Sequence, residues 1–314
     1  MLLRSIKHGF YVGLKTTWVL GKIIFPITLI VSLLQFTPVL DWIIQWITPF
    51  MNVLGLSGDA AIPLVLGNFL NLYAAIGAIL TLPLTVKEVF IIAVMLSFSH
   101  NLLIESGVAV KVGVKLWVIV AVRLGLAFTS AFIINLVWHG GDQAAKYGMV
   151  PSGKEVHGIA EMILEALQKA GLGILQLALI VIPLMIFIQI LKDKRWIETF
   201  SRWMAPVTRG LGMKENTSTT LAAGLIFGLA YGAGVMIQAV KEDGVSKKDV
   251  TIAFIFLVAC HAVIEDTLIF VPLGIPVIPL LFTRLCVAII LTMIVSYAWN
   301  RSIAMKGKKE FYEQ

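Results

Sequence analysis

Charge is what this chain has least of. Asp, Glu, Lys and Arg make up 14% of its 314 residues, against roughly 25% in a soluble domain. With 59% hydrophobic residues and a mean hydropathy of +0.92, the composition is that of a polytopic membrane protein. Cysteine is scarce too. Cys260 and Cys286 both lie in apolar runs, which excludes a disulfide framework and a cysteine metal centre. Neither a Gly-x-Gly-x-x-Gly nor a phosphate-loop motif is present, and no polar stretch is long enough for a nucleotide-hydrolysing domain. Any transport must then be passive, ion-coupled or powered by a partner. The net charge of +7 comes from Lys and Arg placed between apolar runs, a topology pattern and not a nucleic-acid surface. A cleavable leader is not expected, because the first apolar run is long, contains Lys22 and lacks a small-residue cleavage site.

What is present is written twice. Thr85 to Trp138 aligns without a gap onto Ser246 to Trp299 at an offset of 161, with twelve identities in 54 positions. These include His100/His261, Gly113/Gly274, Arg123/Arg284 and Trp138/Trp299. Upstream the offset is 157 and pairs Pro26/Pro183, Trp46/Trp203, Pro49/Pro206, Gly67/Gly224 and Gly77/Gly234. Chance apolar similarity does not place Trp, Pro, His and Arg in register, so the chain reads as a duplication. The expected organisation is a first repeat at 1–140 and an extramembrane linker with an amphipathic helix at 141–170. A second repeat follows at 171–300, then a basic cytoplasmic tail at 301–314.

Each repeat has the same parts. An amphipathic segment (Ile6, Phe10 and Leu14; Val156, Ile159, Ile163 and Leu167) precedes an apolar span, about 18–39 and 172–191. A short Trp-bearing interfacial helix broken by Pro49 or Pro206 comes next, then a Gly-punctuated segment, then two further spans (86–104 and 113–138; 247–264 and 274–299). The first of these opens with a capping box, from Thr85 to Glu88 and from Ser246 to Asp249. If the Gly-rich segments are re-entrant hairpins, each half crosses three times and the repeats are inverted. Nineteen Lys and Arg then lie inside with both termini and four outside; two full spans instead give fifteen and eight. The positive-inside rule favours the hairpins.

Polar residues inside these runs are costly and need a reason. His100 and His261 fall about 15 residues into their spans. Glu105 and Asp266, at i+5, would point away from them on a straight helix, whereas Glu265, at i+4, would share a face with His261. Glu105-Ser106-Gly107 looks like a helix end or break, the device that builds sites in transporters. Arg123 and Arg284 should face protein, either paired with Glu105 and Asp266 or holding an anionic solute. Asn68, Asn71 and Tyr73, and Tyr231 with the backbone at Gly232, would line the hairpin tips or serve close packing. His8, His139 and His157 lie in surface segments with no assigned chemistry. Spacing of His261 and Glu265 is metal-capable, but the first half spaces its pair differently, so no metal site or cofactor is expected.

Through Gly67-Asn68-Phe69-Leu70-Asn71 with Gly77, the partner segment Gly224 to Gly234, and the His spans after them, the chain resembles the nucleoside recognition, or Gate-domain, family. That family includes spore maturation membrane proteins, with related repeats in the membrane part of the ferrous-iron transporter B, and its plan is similar to concentrative nucleoside transporters. The resemblance implies two hairpins and two broken His spans around a central site at the repeat interface. Nucleoside carriers have Gln, Thr or Glu where this chain has Asn68 and Asn71, and the iron transporter has cysteine near its gate glycines where this chain has none. The expectation is an all-α polytopic membrane protein of a prokaryotic cytoplasmic membrane, and not an enzyme. It would be a permease for a small polar solute, nucleoside-like or another small metabolite, with lipid as its surroundings and room for a homo-oligomer. Asn68, Asn71, Tyr73, His100, Asn101, Glu105, Tyr231, Gly232, His261, Glu265 and Asp266 would bind the solute. Other readings are a divalent-cation permease, a metal-dependent intramembrane enzyme, and a non-transporting envelope or sporulation factor.

Overall fold

The computed structural model describes residues 2–34, 38–148, 159–194 and 196–312. Lys154, Val156, His157, Arg195, part of the linker and the end of the tail lie outside them, as does the side chain of Tyr231. The described residues are almost wholly helical. α1 (Leu2–Leu34) opens the first repeat and α8 (Ile159–Asp193) the second. The expected amphipathic segment and span are thus one continuous helix in each half, because no residue between them breaks a helix. Pro26 and Pro183 are both accommodated inside.

α2 (Pro38–Val53) and α9 (Trp196–Gly210) follow, and here too the expected proline break is absent. Each helix runs on through its proline, with a threonine hydroxyl bonding a nearby carbonyl: Thr48 Oγ1 to Ile44 O at 2.6 Å, Thr208 Oγ1 to Met204 O at 2.9 Å. Trp42 meets Trp46 edge to face, and Trp196 meets Trp203 likewise. All four are exposed, as suits the headgroup boundary.

The Gly-rich segments form helix–break–helix hairpins. In the first, α3 (Ala61–Phe69) ends at Leu70 and α4 (Leu72–Ile79) begins after Asn71, whose side chain caps it by accepting from Ala74 N at 2.9 Å. In the second, α10 (Ser218–Glu242) is interrupted at Gly228, at φ 74° and ψ 178°, a backbone that side chains avoid. Asn71 and Gly228 are equivalent at the 157 offset. Residues eight or nine apart in a straight helix are about 12–14 Å apart. Yet a Cβ on Gly67 would lie 3.0 Å from Ala75 Cβ, and one on Gly232 would lie 3.1 Å from Ala223 O, so each segment folds back on itself.

α5 (Val86–Ser99) and α11 (Lys247–Ala259) are apolar on all sides and buried. Each opens on its expected cap: Thr85 Oγ1 accepts from Glu88 N at 3.2 Å, and Ser246 Oγ from Asp249 N at 3.1 Å. α6 (Leu102–Lys111) and α7 (Leu116–Val137) complete the first repeat; α12 (Glu265–Leu268) and α13 (Val277–Tyr312) complete the second. Among the described residues, five stretches are long and apolar enough to cross a membrane: Leu2–Val31, Val86–Lys111, Leu116–Val137, Ala160–Leu191 and Val277–Ser302. A sixth arises if Ile44–Val53 and Gly58–Phe69, bent by 91°, count as one. α11 by itself reaches only ~20 Å. Trp117, Phe128, Phe282 and Ile290 are among many large apolar side chains left exposed, a surface made for lipid.

By internal contacts the chain forms two units. One comprises Met1–Leu103, Leu124–Lys194 and Ile264–Leu281; the other comprises Ile104–Arg123, Arg195–Val263 and Phe282–Gln314. The stretch after the His span changes unit in both repeats. Ile104–Arg123 of the first joins the second unit, and its counterpart Ile264–Leu281 joins the first.

Within the first unit, α1 and α8 pack through glycines. A Cβ on Gly9 would lie 2.5 Å from Ile186 Cα and one on Gly13 2.9 Å from Ile182 Cα, while Gly21 faces Ile174. The register is antiparallel and sets Val19 opposite Gln176, which are themselves repeat equivalents. These equivalent helices therefore run in opposite directions. Gly9→Val should lower stability by about 1–3 kcal/mol, because the collision is with backbone. Gly171→Ala, with nothing within 4 Å of its Cβ, should raise it by about 0.5–1 kcal/mol. Thermal unfolding in detergent checks both signs.

Candidate functional site

Each His span breaks at the same place. α5 ends at Ser99 with His100 as its cap, and Asn101 takes φ 51°; α11 ends at Ala259, and Ala262 takes φ 41°. Asn101 and Ala262 are equivalent at the 161 offset, and they are the only non-glycine residues with positive φ among those described. The break therefore falls before the acids and not at Glu105-Ser106-Gly107, which lies inside α6. Docking on the hairpin explains this. Asn101 N donates to Gly67 O at 2.8 Å; Ala262 N donates to Gly224 O at 3.1 Å and Val263 N to Leu225 O at 2.9 Å. Three freed N–H groups find partners on the glycine-bearing arm of their own repeat, which offsets part of the cost of the break. Ala262 still holds a conformation costing roughly 1 kcal/mol. Ala262→Gly should return about that much in thermal unfolding, where Asn101→Gly should change little.

Both histidines are oriented alike. His100 Nδ1 lies 2.6 Å from Leu96 O, and His261 Nδ1 lies 2.8 Å from Leu257 O. A carbonyl only accepts, so Nδ1 carries a hydrogen in each ring, and Nε2 is turned away from the helix that bears it. In the second unit His261 Nε2 is 3.3 Å from Glu105 Oε2, and Arg123 Nη2 donates to that same oxygen at 2.8 Å. Arg284 Nη2 donates to His261 O at 2.7 Å, which pins the break. His261 and Glu105 are buried and both arginines are fully so. Imidazole, carboxyl and guanidinium thus lie together in one buried cluster.

The first unit carries a different arrangement. Tyr73 Oη donates to Glu265 Oε1 at 2.5 Å, and both residues are buried. Asp266 and His100 bring side-chain ligand atoms within 4.8 Å of each other. The expected shared face of His261 and Glu265 does not arise, because the helix ends at Ala259 and Glu265 belongs to the other unit. Asn68 Nδ2 donates to Leu64 O at 2.8 Å, leaving its buried Oδ1 without a partner among the described residues. Asn71 serves as the cap already described, and Gly232 lies in the hairpin contact.

Two hydroxyls not singled out from the sequence belong here. Ser106 and Thr267 are equivalent and buried, and neither hydroxyl oxygen has a hydrogen-bond partner among the described residues. The signal was available in their place beside the acid in both copies.

Broken helices docked on folded-back hairpins, repeated twice in a lipid-facing helical protein, define a two-repeat polytopic membrane protein. The chain belongs to the nucleoside recognition (Gate) family, whose model matches residues 17–132 and again 174–298. It is 62% identical over 294 residues to a Bacillus subtilis (strain 168) protein described as uncharacterized membrane protein YvoD, covering 93% of this chain and 94% of that one. No solved structure matches.

Proposed function

We propose that the protein is a secondary transporter for a small polar solute of nucleoside-like chemistry, coupled to protons. The observation that carries this reading is the buried His261–Glu105–Arg123 cluster at a helix break. A histidine, a carboxyl and an arginine buried together are expensive in an apolar setting, and they are the groups from which a proton relay is built. A solute hydroxyl or amide meets complementary groups at Tyr73, Glu265 and the Asn68 carbonyl oxygen. The hairpins are re-entrant in this reading, the repeats are inverted, and both termini lie on the cytoplasmic side of a prokaryotic membrane, as the excess of inside Lys and Arg supports.

The test is uptake into proteoliposomes. Labelled nucleosides should accumulate at least about tenfold above empty vesicles under an inward proton gradient, and a protonophore should abolish the excess. Folded protein that moves no nucleoside or comparable metabolite sinks the reading. Uptake indifferent to the proton gradient removes the coupling.

A further inference from the structure

The seam between α1 and α8 carries two clefts on one stripe. The first, of about 610 Å³, lies at the start of α1 and the end of α8, lined by Arg4, Lys7, His8, Tyr11, Gln189 and Asp193. The second, of about 560 Å³, is mostly apolar: Trp18, Phe25, Ile174, Ala178 and Ile182 line it, with Lys22 at its wall. Residues 4, 11, 18 and 25 recur every seven positions and stay on one side of the helix. The two clefts thus follow one another along the same groove. Lys22 places its ammonium 5.2 Å from the centre of the Trp18 ring, reaching back toward the polar end.

We propose that this groove binds one anionic phospholipid of the phosphatidylglycerol type, headgroup in the polar cleft and one acyl chain in the apolar one. The proposal stands whatever solute is carried.

The order of the clefts is the first argument. The cationic cleft lies at the start of α1, within residues 4–11, and the mostly apolar cleft follows it toward Pro26, the sequence in which a headgroup and an acyl chain follow one another.

Charge is the second. The positions equivalent to Arg4, Lys7, His8 and Tyr11 in the second repeat are Glu161, Leu164, Glu165 and Gln168. The repeat fold therefore does not require a basic cleft, and the cations are a feature of this end alone. Asp193, held by Gln189 Nε2 at 2.9 Å, would repel a bare phosphate. It suits a headgroup that adds hydroxyl donors to its phosphate, as glycerol does.

Native mass spectrometry of the full chain in neutral detergent tests this. Phosphatidylglycerol should bind at least about tenfold tighter than phosphatidylcholine. Each basic side chain near an anionic surface is worth about fivefold in affinity, so R4Q/K7Q should weaken phosphatidylglycerol by about 25-fold. Both residues are exposed, so the double variant should keep the unfolding temperature of the unlipidated protein. Ala178→Trp, which fills the apolar cleft, should weaken the same lipid with the cations intact. Equal binding of the two lipids, an unchanged affinity in R4Q/K7Q or in Ala178→Trp, or displacement of the lipid by inorganic phosphate at equal concentration overturns the proposal.

Discussion

Arg123→Met is expected to destabilise the protein by about 3–5 kcal/mol, the cost of removing one partner from a buried ion pair. Arg123 is fully buried, and its guanidinium lies 2.8 Å from a carboxylate that is itself 5% exposed. Methionine keeps much of the volume, so the loss comes from leaving Glu105 without its cation. Adding Glu105→Gln to Arg123→Met removes the stranded charge and should recover part of the loss, with a coupling of about 0.5–3 kcal/mol across the cycle. An internal comparison sits in the same unit. Arg209 and Glu215 approach to 2.7 Å but are 63% and 55% exposed. Solvent screens that pair, and Arg209→Ala should cost under about 1 kcal/mol. Denaturant unfolding of the variants in one detergent decides the matter. A cost for Arg123→Met no larger than that for Arg209→Ala would show that the buried pair is not structural.

The Glu105–Arg123 pair could be anticipated because both partners lie in one short stretch. Ile104–Arg123 moves between units as a piece, so a pairing inside it survives the exchange. Tyr73 and Glu265, 192 residues apart, had no such protection. Reading each acid with the histidine of its own repeat assumes that the helix continues past the histidine, and it does not. The two repeats were legible because glycines recur in register, and the family model matches both. The position of the break was not. Glu105-Ser106-Gly107 has the composition of a helix end, whereas Ala262 is a poor residue for a left-handed backbone and gives no warning. Hydrogen bonds to Gly67 and Gly224 decide the conformation from outside the segment. The prolines misled for the opposite reason. Pro49 and Pro206 are breakers by local rule, yet both sit inside helices where a threonine hydroxyl bonds a carbonyl nearby.

The two repeats should also divide their labour, and two substitutions of similar size should separate it. Tyr73→Phe removes one hydroxyl facing a buried carboxyl; hydrogen bonds to such groups are worth about 1.5–3 kcal/mol. If Tyr73 and Glu265 grip the solute, the apparent KM should rise about 10- to 100-fold while the ratio of gradient-driven to gradient-free uptake stays unchanged. His261→Gln acts differently. Its amide can still donate toward Glu105, but it has no nitrogen that takes up and releases a proton near neutral pH. Net uptake should lose its acceleration by the proton gradient, while exchange of internal for external solute, which needs no net proton movement, continues with KM within about threefold. The asymmetry has a physical source in the sequence. Glu265 has Ile104 as its repeat equivalent, and Tyr73 falls opposite Ala230, so the first unit holds a carboxyl–phenol contact that the second cannot copy. The second unit instead holds its acid between a histidine and an arginine. Should Tyr73→Phe abolish gradient coupling, or His261→Gln raise KM and leave coupling intact, the assignments are reversed. Parallel loss of both properties in both variants would mean that the groups act as one relay and the division does not exist.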